Sequence, residues 1–525
     1  MSNDFDPIWT SLLAWLATFD GSVDVEKNVQ LVHNAAGRGL VARSDLPPST
    51  LLISIPNQAL LNLYTLSPLY PSAFTQGRLN ATQLISLHLA LQFRKHLFSP
   101  STETVTQQNK VTGKGKGKGK GKEKAETTAR DKFWPFLATL PRSFPSHPLN
   151  WIIQSLSHTQ LVETYSIQQG QEDISLKEKK ELGTRERTRF RKLLDCLGQE
   201  LKTRVDRVEE RFRKDWKQVQ AVWKETKLEE GEDFGFFDFL LGWLNVNTRC
   251  IYFDLPTTGA APAHWTKKEN SLTLAPVIDM INHFPSLATK PHPTQTALTF
   301  SSPSRSSPDK KVMKGDELAF SYGGHDDSFL LVEYGFVIGT GDEQGRGGNE
   351  YNSLNVDKYI EGLFENQGAE GEMKVGILKD SDYWGDMTFQ SSPPSPSWRV
   401  LTALRLFHLR LPANLSLSVD SLAPFYDLLT GSIDQISHLN EKKVQATLKA
   451  IAKNLVVECR EGIERCQTLE KDWRKELVSS NGGGGDTGDQ IREVLEWLKM
   501  VETIWKGEER IAKAIAEDEE EGKRD

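Results

Sequence analysis

Apolar residues recur with two different periods in the first hundred positions of the chain. Trp9 to Leu16 has helical spacing, and Leu84 to Leu97 repeats in the manner of an amphipathic helix. Between them, residues 32–56 have the character of strands interrupted by glycines and by a Pro-Pro pair. Leu51 to Ile55 is a continuous apolar run, which is typical of a buried strand. The pattern therefore predicts short strands between two helices.

Helical periodicity returns in the middle and at the end of the chain. Apolar residues at steps of three and four from 190 to 219 predict one long helix, which packs within this protein or, alternatively, against a coiled-coil partner. Residues 236–253 start with helical spacing and become aromatic and β-prone, and 271–337 are typical of short strands and turns. Beyond 341 the helical patterns cover 398–412, 441–478 and 489–516, with β-like stretches near Leu354 and Val375.

Three segments lack an apolar pattern. Residues 99–130 are polar, and Gly113 to Lys122 strictly alternates glycine with lysine, which predicts a flexible loop. A phosphate-binding loop is excluded, because its motif needs two glycines five positions apart and strict alternation places a lysine five positions after each glycine. A localisation signal or a ribosome-binding patch remains an alternative to a solvated insertion. Gly482 to Gly485 predicts a flexible connection between helices, and the acidic tail from Asp518 predicts disorder.

Composition narrows the class of protein. The 525 residues include 38% hydrophobic and 26% charged residues, and 64 Lys+Arg against 71 Asp+Glu give a net charge of −7. We therefore expect a globular protein of several domains that does not bind nucleic acid directly. No run reaches the roughly 18 apolar residues of a membrane helix, and the acidic start is unlike a signal peptide, so we expect a cytoplasmic or nuclear protein with no membrane partner.

The cysteines exclude two kinds of site. Only four occur, at 196, 250, 459 and 466, too few and too scattered for a disulfide framework or a four-cysteine zinc site. Cys459 and Cys466 are seven residues apart, so a helix would place both on one apolar face.

Three short segments carry polar residues suited to binding a ligand. Gly37-Arg38-Gly39 lets a backbone approach a ligand closely, although such a sequence is usually only a turn. Asp279, Asn282 and His283 interrupt an apolar strand-like run, where the alternatives are a strand-end turn or a metal site that lacks further ligands. Arg249 offers a guanidinium that could fork onto a carboxylate, or form a surface ion pair from a strand.

A fourth segment combines a charged turn with aromatic residues. Residues 315–323 end in Ser321-Tyr322-Gly323, and Tyr334-Gly335-Phe336 follows after a loop. Such rings surround a narrow space or simply fill a core. A dry space of this kind disfavours the charged form of a group inside it, and a tyrosine hydroxyl can hydrogen-bond to a polar group.

In this order, the four segments resemble the SET-domain protein lysine methyltransferases of the Rubisco-large-subunit-methyltransferase class. Residues 243–249 and 321–327 look closest to the branch that contains SET domain-containing protein four. The resemblance implies an α+β fold with a split SET domain of small β-sheets and a knot-like crossing, a helical insertion and a mostly helical C-terminal domain. It divides the chain at 1–98, 99–132, 133–235, 236–340, 341–517 and 518–525, the fifth segment being similar to a substrate-binding domain.

The resemblance also implies an activity, the transfer of a methyl group from S-adenosylmethionine to a lysine side chain of a protein. The implied substrate is a non-histone protein such as a ribosomal protein or translation factor, bound by a monomer. A histone substrate and a catalytically silent interaction module remain alternatives. The absence of a cysteine cluster after the domain fits this class better than the zinc-bearing histone enzymes.

The family pattern assigns roles residue by residue. Tyr322 is the implied catalytic residue, and no metal is implied. The implied cofactor-binding residues are Ala36, Gly37, Arg38, Thr248, Arg249, Asp279, Asn282, His283, Tyr322 and Phe336. The implied substrate channel is lined by Tyr252, Phe320, Tyr334 and Phe336. One position departs from the pattern, since Asp327 stands where the family usually has an asparagine that supports the loop.

Overall fold

The structure is a computed structural model that describes most of the chain. The described residues are 6–34, 37–97, 132–167, 183–226, 234–253, 270–341, 348–410, 419–479 and 486–517. The predicted loop at 99–130, the break at Gly482 to Gly485, the acidic tail and Ala36 lie outside these ranges.

Helices and short strands occur together along the chain. The helices are α1 Pro7–Leu16, α2 Leu63–Leu66, α3 Ser72–Thr75, α4 Ala81–Leu97, α5 Trp134–Leu137, α6 Pro148–Ser155, α7 His158–Tyr165, α8 Thr184–Asp195, α9 Gln199–Thr226, α10 Phe236–Arg249, α11 Asp327–Tyr334, α12 Asp357–Glu365, α13 Ala369–Asp380, α14 Trp398–Phe407, α15 Val419–Leu429, α16 His438–Ser479 and α17 Asp486–Glu517. The strands are β1 Val29–Asn34, β2 Gly37–Ala42, β3 Leu51–Pro56, β4 Leu61–Asn62, β5 Ile251–Tyr252, β6 Leu272–Leu274, β7 Asn282–His283, β8 His292–Pro293, β9 Ala297–Ser301, β10 Ala319–Phe320, β11 Ser353–Asn355, β12 Thr388–Ser391 and β13 Pro394–Pro396.

The chain divides into two compact units. The first consists of residues 1–145, 156–183 and 207–322, and the second of 146–155, 184–206 and 323–525. Among the described residues, no helix is both long and apolar enough to cross a lipid bilayer.

The first unit contains small sheets of two or three strands. β1 and β2 are an antiparallel hairpin, β3 pairs with β9 and β9 with β8, and β6 lies between β4 and β5. β7 and β10 pair in parallel, with Ala319 opposite Asn282 and Phe320 opposite His283. This pairing brings the two polar segments that the sequence singled out side by side.

Helices α4 and α10 pack closely in the first unit. A side chain at Gly242 of α10 would place its Cβ 2.4 Å from the carbonyl oxygen of Ser86 in α4, so glycine is required there. The prediction of an amphipathic helix at 84–97 was wrong in one respect, because polar positions of α4 are buried along with the apolar ones. Two of them have side-chain hydrogen-bond partners, Asp215 for Gln83 at 2.8 Å and Tyr70 for His88 at 2.8 Å.

The second unit is built on two long helices. α16 and α17 pack along each other, and Trp505 of α17 fits against Gly462 of α16, where a Cβ would lie 2.3 Å from the indole. Beside them lie the antiparallel sheet β11–β12–β13 and helices α12 to α15. Cys459 and Cys466 are both buried, as their predicted position on one apolar face required.

Four local predictions were wrong. The pattern at 190–219 forms two helices, α8 and α9, because the chain breaks at Gly198, where a Cβ would lie 2.9 Å from the Trp505 ring. Arg249 ends helix α10 instead of lying in a strand, since the preceding aromatic residues face a buried helical core. The run before Asn282 is a 3₁₀ turn, Ile278–Met280. Val375 lies in helix α13, because Gly368 allows a new helix to begin there.

Candidate functional site

The Gly37-Arg38-Gly39 turn opens strand β2 in the first unit. Gly37 has φ +117°, a conformation that favours glycine, and its Cβ position faces open space. Gly39 is required for another reason, because a Cβ there would lie 2.6 Å from Glu317 Oε1 and 3.2 Å from Asn282 Nδ2. The glycines therefore leave room on one side of β2 and admit two polar side chains on it.

Arg249 and Asp279 form an ion pair in the same unit. Arg249 donates from Nη1 to the backbone oxygen of Asp279 at 2.7 Å and to its Oδ2 at 3.3 Å. The Asp279 side chain is only 1% exposed, so its carboxylate depends on protein partners. Arg249 was predicted as a clamp for a cofactor carboxylate, and the structure shows that part of its guanidinium holds Asp279.

Arg38 adds a second positive charge near this pair. Its Nη2 donates to the backbone oxygen of Thr139 at 2.5 Å. Burial and the nearby Arg249 lower the pKa of Arg38, while Asp279 opposes that shift. Burial raises the pKa of the Asp279 carboxyl, although Arg249 and Arg38 act against it. Two guanidinium groups therefore act on the Asp279 carboxylate, and the Asp6 carboxylate also acts on Arg38.

Two buried polar atoms of this cluster lack partners. Within the described ranges, Arg249 Nε and Asp279 Oδ1 have no hydrogen bond. A buried donor without a partner is costly, and an acceptor on a ligand would satisfy Arg249 Nε next to the positive charges of Arg249 and Arg38. The residues present therefore fit a ligand with a carboxylate, such as the methionyl end of the predicted cofactor.

Asn282 and His283 lie on strand β7 and contact the neighbouring segments. Asn282 donates from Nδ2 to Glu317 Oε1 at 2.6 Å and to the backbone oxygen of Arg38 at 3.3 Å. His283 accepts a hydrogen bond at Nδ1 from the backbone N–H of Tyr322 at 3.1 Å. This bond assigns the ring proton of neutral His283 to Nε2. The two side chains thus connect β2 with the segment that carries Tyr322.

Tyr322 follows strand β10 and is held from two sides. Its hydroxyl donates to the backbone oxygen of Ile281 at 2.8 Å, and its ring stacks on His283 with centroids 4.9 Å apart. The Phe320 ring lies 5.1 Å away. Because the hydroxyl proton is donated to Ile281, the lone pairs of the phenolic oxygen face away from that carbonyl and can accept a hydrogen bond from another group.

The remaining predicted residues are placed as follows. Thr248 donates from Oγ1 to Leu244 within its own helix, at 2.8 Å, and Tyr252 on β5 is 66% exposed. Tyr334 and Phe336 belong to the second unit, where their ring centroids are 6.1 Å apart. Their role beside Tyr322 stays a prediction.

Asp327, the departure from the family pattern, is a buried hub of the second unit. Its carboxylate accepts hydrogen bonds from the backbone N–H groups of Ile338 and Gly339, at 2.9 and 3.0 Å, and from the side-chain amides of Asn349 and Asn352, at 3.2 and 2.9 Å. Asn352 Oδ1 in turn accepts from the Asp327 N–H at 2.8 Å. Four donors converge on two oxygens, an arrangement that suits a carboxylate.

Sequence reasoning missed one contributor and one relationship. Glu317 was read only as part of a charged turn, and its position two residues before β10, beside the predicted Asn-His pair, was the available signal. The ion pair of Arg249 with Asp279 was also missed, although both residues were named. Among the described residues, no group of three or more His, Cys, Asp or Glu side chains could hold a metal ion.

Comparisons with known proteins agree with this architecture. No protein-family model matches the chain. It is 29% identical over 232 residues to ribosomal lysine N-methyltransferase set11 of Schizosaccharomyces pombe, covering 44% of this chain and 52% of that protein. It is 26% identical over 285 residues to SET domain-containing protein 4 of Homo sapiens, covering 54% of each. The chain spans about half the length of the curated relatives it matches.

Solved structures establish the fold. Rubisco LSMT bound to sinefungin and monomethyllysine matches with a TM-score of 0.54 at 14% identity, over 98% of this chain and 91% of that one. The SET domain of LSMT bound to lysine and AdoHcy matches with a TM-score of 0.53 at 13% identity, over the same shares. The chain has the α+β SET-domain fold of Rubisco LSMT, and the predicted resemblance is confirmed.

Proposed function

We propose that this relative of the SET-domain lysine methyltransferases is itself a protein-lysine N-methyltransferase that uses S-adenosylmethionine. Its substrate is a lysine side chain of a non-histone protein, such as a ribosomal protein or translation factor. Relatives named as ribosomal lysine N-methyltransferases support this choice. The net charge of −7 also suits a basic protein partner better than a polyanion.

One observation carries the proposal, namely that a single short segment, Asp279–His283, connects the arginine cluster to Tyr322. Asp279 pairs with Arg249, and the backbone oxygen of Ile281 accepts from the Tyr322 hydroxyl. Asn282 and His283 bond to the β2 turn and to the Tyr322 backbone. A ligand anchored by the arginines would therefore lie beside elements that fix the tyrosine.

The residues of the first unit have distinct tasks in this reaction. When bound, S-adenosylmethionine would supply an electrophilic methyl group on a sulfonium sulfur. The nitrogen of a neutral lysine amine would bond to the methyl carbon in line as the carbon–sulfur bond breaks, and S-adenosylhomocysteine would leave. Arg38 and the Nε side of Arg249 would hold the carboxylate of the methionyl end. Gly37 leaves open space at the start of β2 for close approach of a ligand to the backbone.

Tyr322 would orient the substrate amine. With its proton donated to Ile281, the phenolic oxygen accepts a hydrogen bond from the amine and fixes its lone pair toward the methyl group. The aromatic rings of Phe320 and Tyr322 exclude water, and desolvation lowers the pKa of a lysine amine so that the neutral form reacts. The proton lost by the amine leaves to solvent.

A labelling assay tests the proposal. The purified protein is incubated with methyl-labelled S-adenosylmethionine and an extract of cells that lack the endogenous enzyme. We expect label on a discrete protein and its loss with Tyr322→Phe, which removes only the hydroxyl. Tyr426→Phe, a change at an exposed tyrosine of the second unit, is the control and should label normally. Binding of the cofactor without transfer in any extract would refute the proposal.

A further inference from the structure

The second unit contains a cavity that the proposed chemistry does not use. It has a volume of about 220 Å³ and is formed by the first turn of α9, the β11 to α12 region, α16 and α17. Ligand pockets for drug-sized molecules measure roughly 300–1,000 Å³. A cavity of roughly 150 Å³ admits a benzene ring. The size between these limits suits one long side chain.

The lining of the cavity is apolar on one part and acidic on another. The apolar residues, all buried, are Leu201, Leu354, Leu455, Val501, Ile504 and Trp505. The acidic residues are Glu200, Asp357, Glu361, Glu458 and Glu508, and the one cation among the lining residues is Lys358. Such a lining matches a side chain with an aliphatic stem and a cationic head.

Three of the five carboxylates already have partners. Lys358 Nζ lies 2.7 and 2.6 Å from the two oxygens of Glu458. Arg204 donates to Glu200 at 3.2 Å. Asp357 accepts from the Met387 N–H at 2.8 Å and from the Asn355 amide at 2.9 Å. The two nearby cations, Lys358 and Arg204, are thus already paired with Glu458 and Glu200.

Glu361 and Glu508 remain without such partners. In the part of the chain that the structure describes, neither carboxylate has a hydrogen bond or an ion pair. Glu508 keeps some solvent exposure as a residue, yet burial of its carboxyl raises the pKa to about 8. The carboxylates of Asp326, Glu458 and Glu200 reinforce that shift, and Arg204 opposes it. The neighbouring carboxylates thus give the cavity a negative potential that keeps Glu508 mostly protonated at neutral pH, and a cation in the cavity would offset that potential and favour the ionised carboxylate.

We propose that this cavity receives a lysine or arginine side chain of a protein partner, with the stem against Trp505 and the aliphatic wall and the head between Glu361 and Glu508. A metal ion fits less well, because the described residues contain no group of three ligands arranged for one. The inference that a basic segment binds here rests only on the size and lining of the cavity. The identity of that segment as part of the methyl-accepting protein rests on the proposed function.

Direct binding tests the proposal. The full chain is titrated with fluorescein-labelled oligolysine or oligoarginine at physiological salt, and anisotropy is measured. We expect Glu361→Gln/Glu508→Gln to weaken binding about tenfold, since it removes both unpaired carboxylates with little change in shape. Glu365→Gln/Glu496→Gln removes two exposed carboxylates from the same helices, α12 and α17, and should change binding less than about twofold.

A second variant tests occupancy of the cavity itself. Thr203 lines the cavity, and Thr203→Lys would place an ammonium group inside it, so that added oligolysine binds at least about tenfold more weakly. Any of three results would overturn the proposal. The two Gln pairs could lose binding equally, Glu361→Gln/Glu508→Gln and Thr203→Lys could both bind as the parent does, or fully acetylated oligolysine could bind as well as oligolysine. Cofactor binding is measured on the same samples. Absence of cofactor binding by the parent protein would count against the proposed function and not against the cavity.

Discussion

Asn282 donates a hydrogen bond from Nδ2 to Glu317 Oε1 at 2.6 Å, and both atoms lie close to the position that a Cβ of residue 39 would occupy. A Cβ at Gly39 would occupy the space that this carboxylate and amide share. The same amide also reaches the backbone oxygen of Arg38 at 3.3 Å. The second glycine of the turn thus serves the orientation of Asn282, whereas Gly37 supplies the unusual backbone angle.

Gly39→Ala should weaken cofactor binding more than it weakens folding. Glu317 ends in a flexible carboxylate that can move away from the new methyl group, so the fold is retained while Asn282 loses its charged partner. We expect about a tenfold loss of S-adenosylmethionine affinity by calorimetry. Gly362→Ala is the control, because a Cβ there meets nothing within 4 Å. Unchanged affinity in Gly39→Ala would show that Asn282 does not depend on Glu317.

Arg249→Ala should destabilise the protein through the partner it leaves behind. Asp279 is 1% exposed and would remain as a buried charge without its ion pair. We expect a loss of about 3 kcal/mol in the free energy of unfolding, measured with urea. Adding Asp279→Asn should restore at least half of that loss, because the buried charge is then removed.

The exposed ion pair of Arg474 with Glu470 provides the comparison for this experiment. Its side chains are 64% and 35% exposed, so Arg474→Ala should cost no more than about 1 kcal/mol. If Arg249→Ala were equally mild, or if Asp279→Asn gave no recovery, the ion pair would not be a major source of stability.

Long amphipathic patterns could be predicted from the sequence more reliably than short elements. The patterns at 441–478 and 489–516 correspond to α16 His438–Ser479 and α17 Asp486–Glu517. The break at Gly198 could not be predicted, because the apolar period continues across it and Trp505, the residue that packs closely on Gly198, is distant in sequence. Helix α10 was read partly as a strand, because its aromatic residues favour strands in isolation and pack here on Phe212 and Trp216.

In the candidate site, too, some features could be predicted from the sequence and others could not. The resemblance named Arg249, Asp279, Asn282, His283 and Tyr322, and the structure brings them into one connected network. Which atoms meet could not be predicted, because the parallel register of β7 with β10 decides it. Long-range pairing of this kind has no local signature in the chain.

Asp327→Asn should reduce stability even though the family usually has asparagine at this position. The carboxylate accepts four hydrogen bonds, and an amide would turn one accepting oxygen into a donor facing other donors. We expect a loss of about 2 kcal/mol in urea unfolding. Asp380→Asn, at an exposed position at the end of α13, should have little effect. A variant as stable as the parent would mean that Asn349 and Asn352 reorient to accommodate the amide.

Glu508 should make the stability of the second unit depend on pH. Its pKa of about 8 in the folded protein exceeds the ordinary value of 4.5, so the folded state binds more protons than the unfolded state between these values. Stability therefore falls as the pH rises from about 5 to 8, by at most about 1.4 kcal/mol per pH unit. Glu508→Gln mimics the protonated form and should flatten this dependence in urea unfolding, whereas the exposed Glu496→Gln should leave it unchanged. Bound oligolysine should also flatten the pH dependence, because a cation in the cavity stabilises the ionised carboxylate. If the slope of stability against pH were unaltered in Glu508→Gln, the pH dependence would belong to other groups.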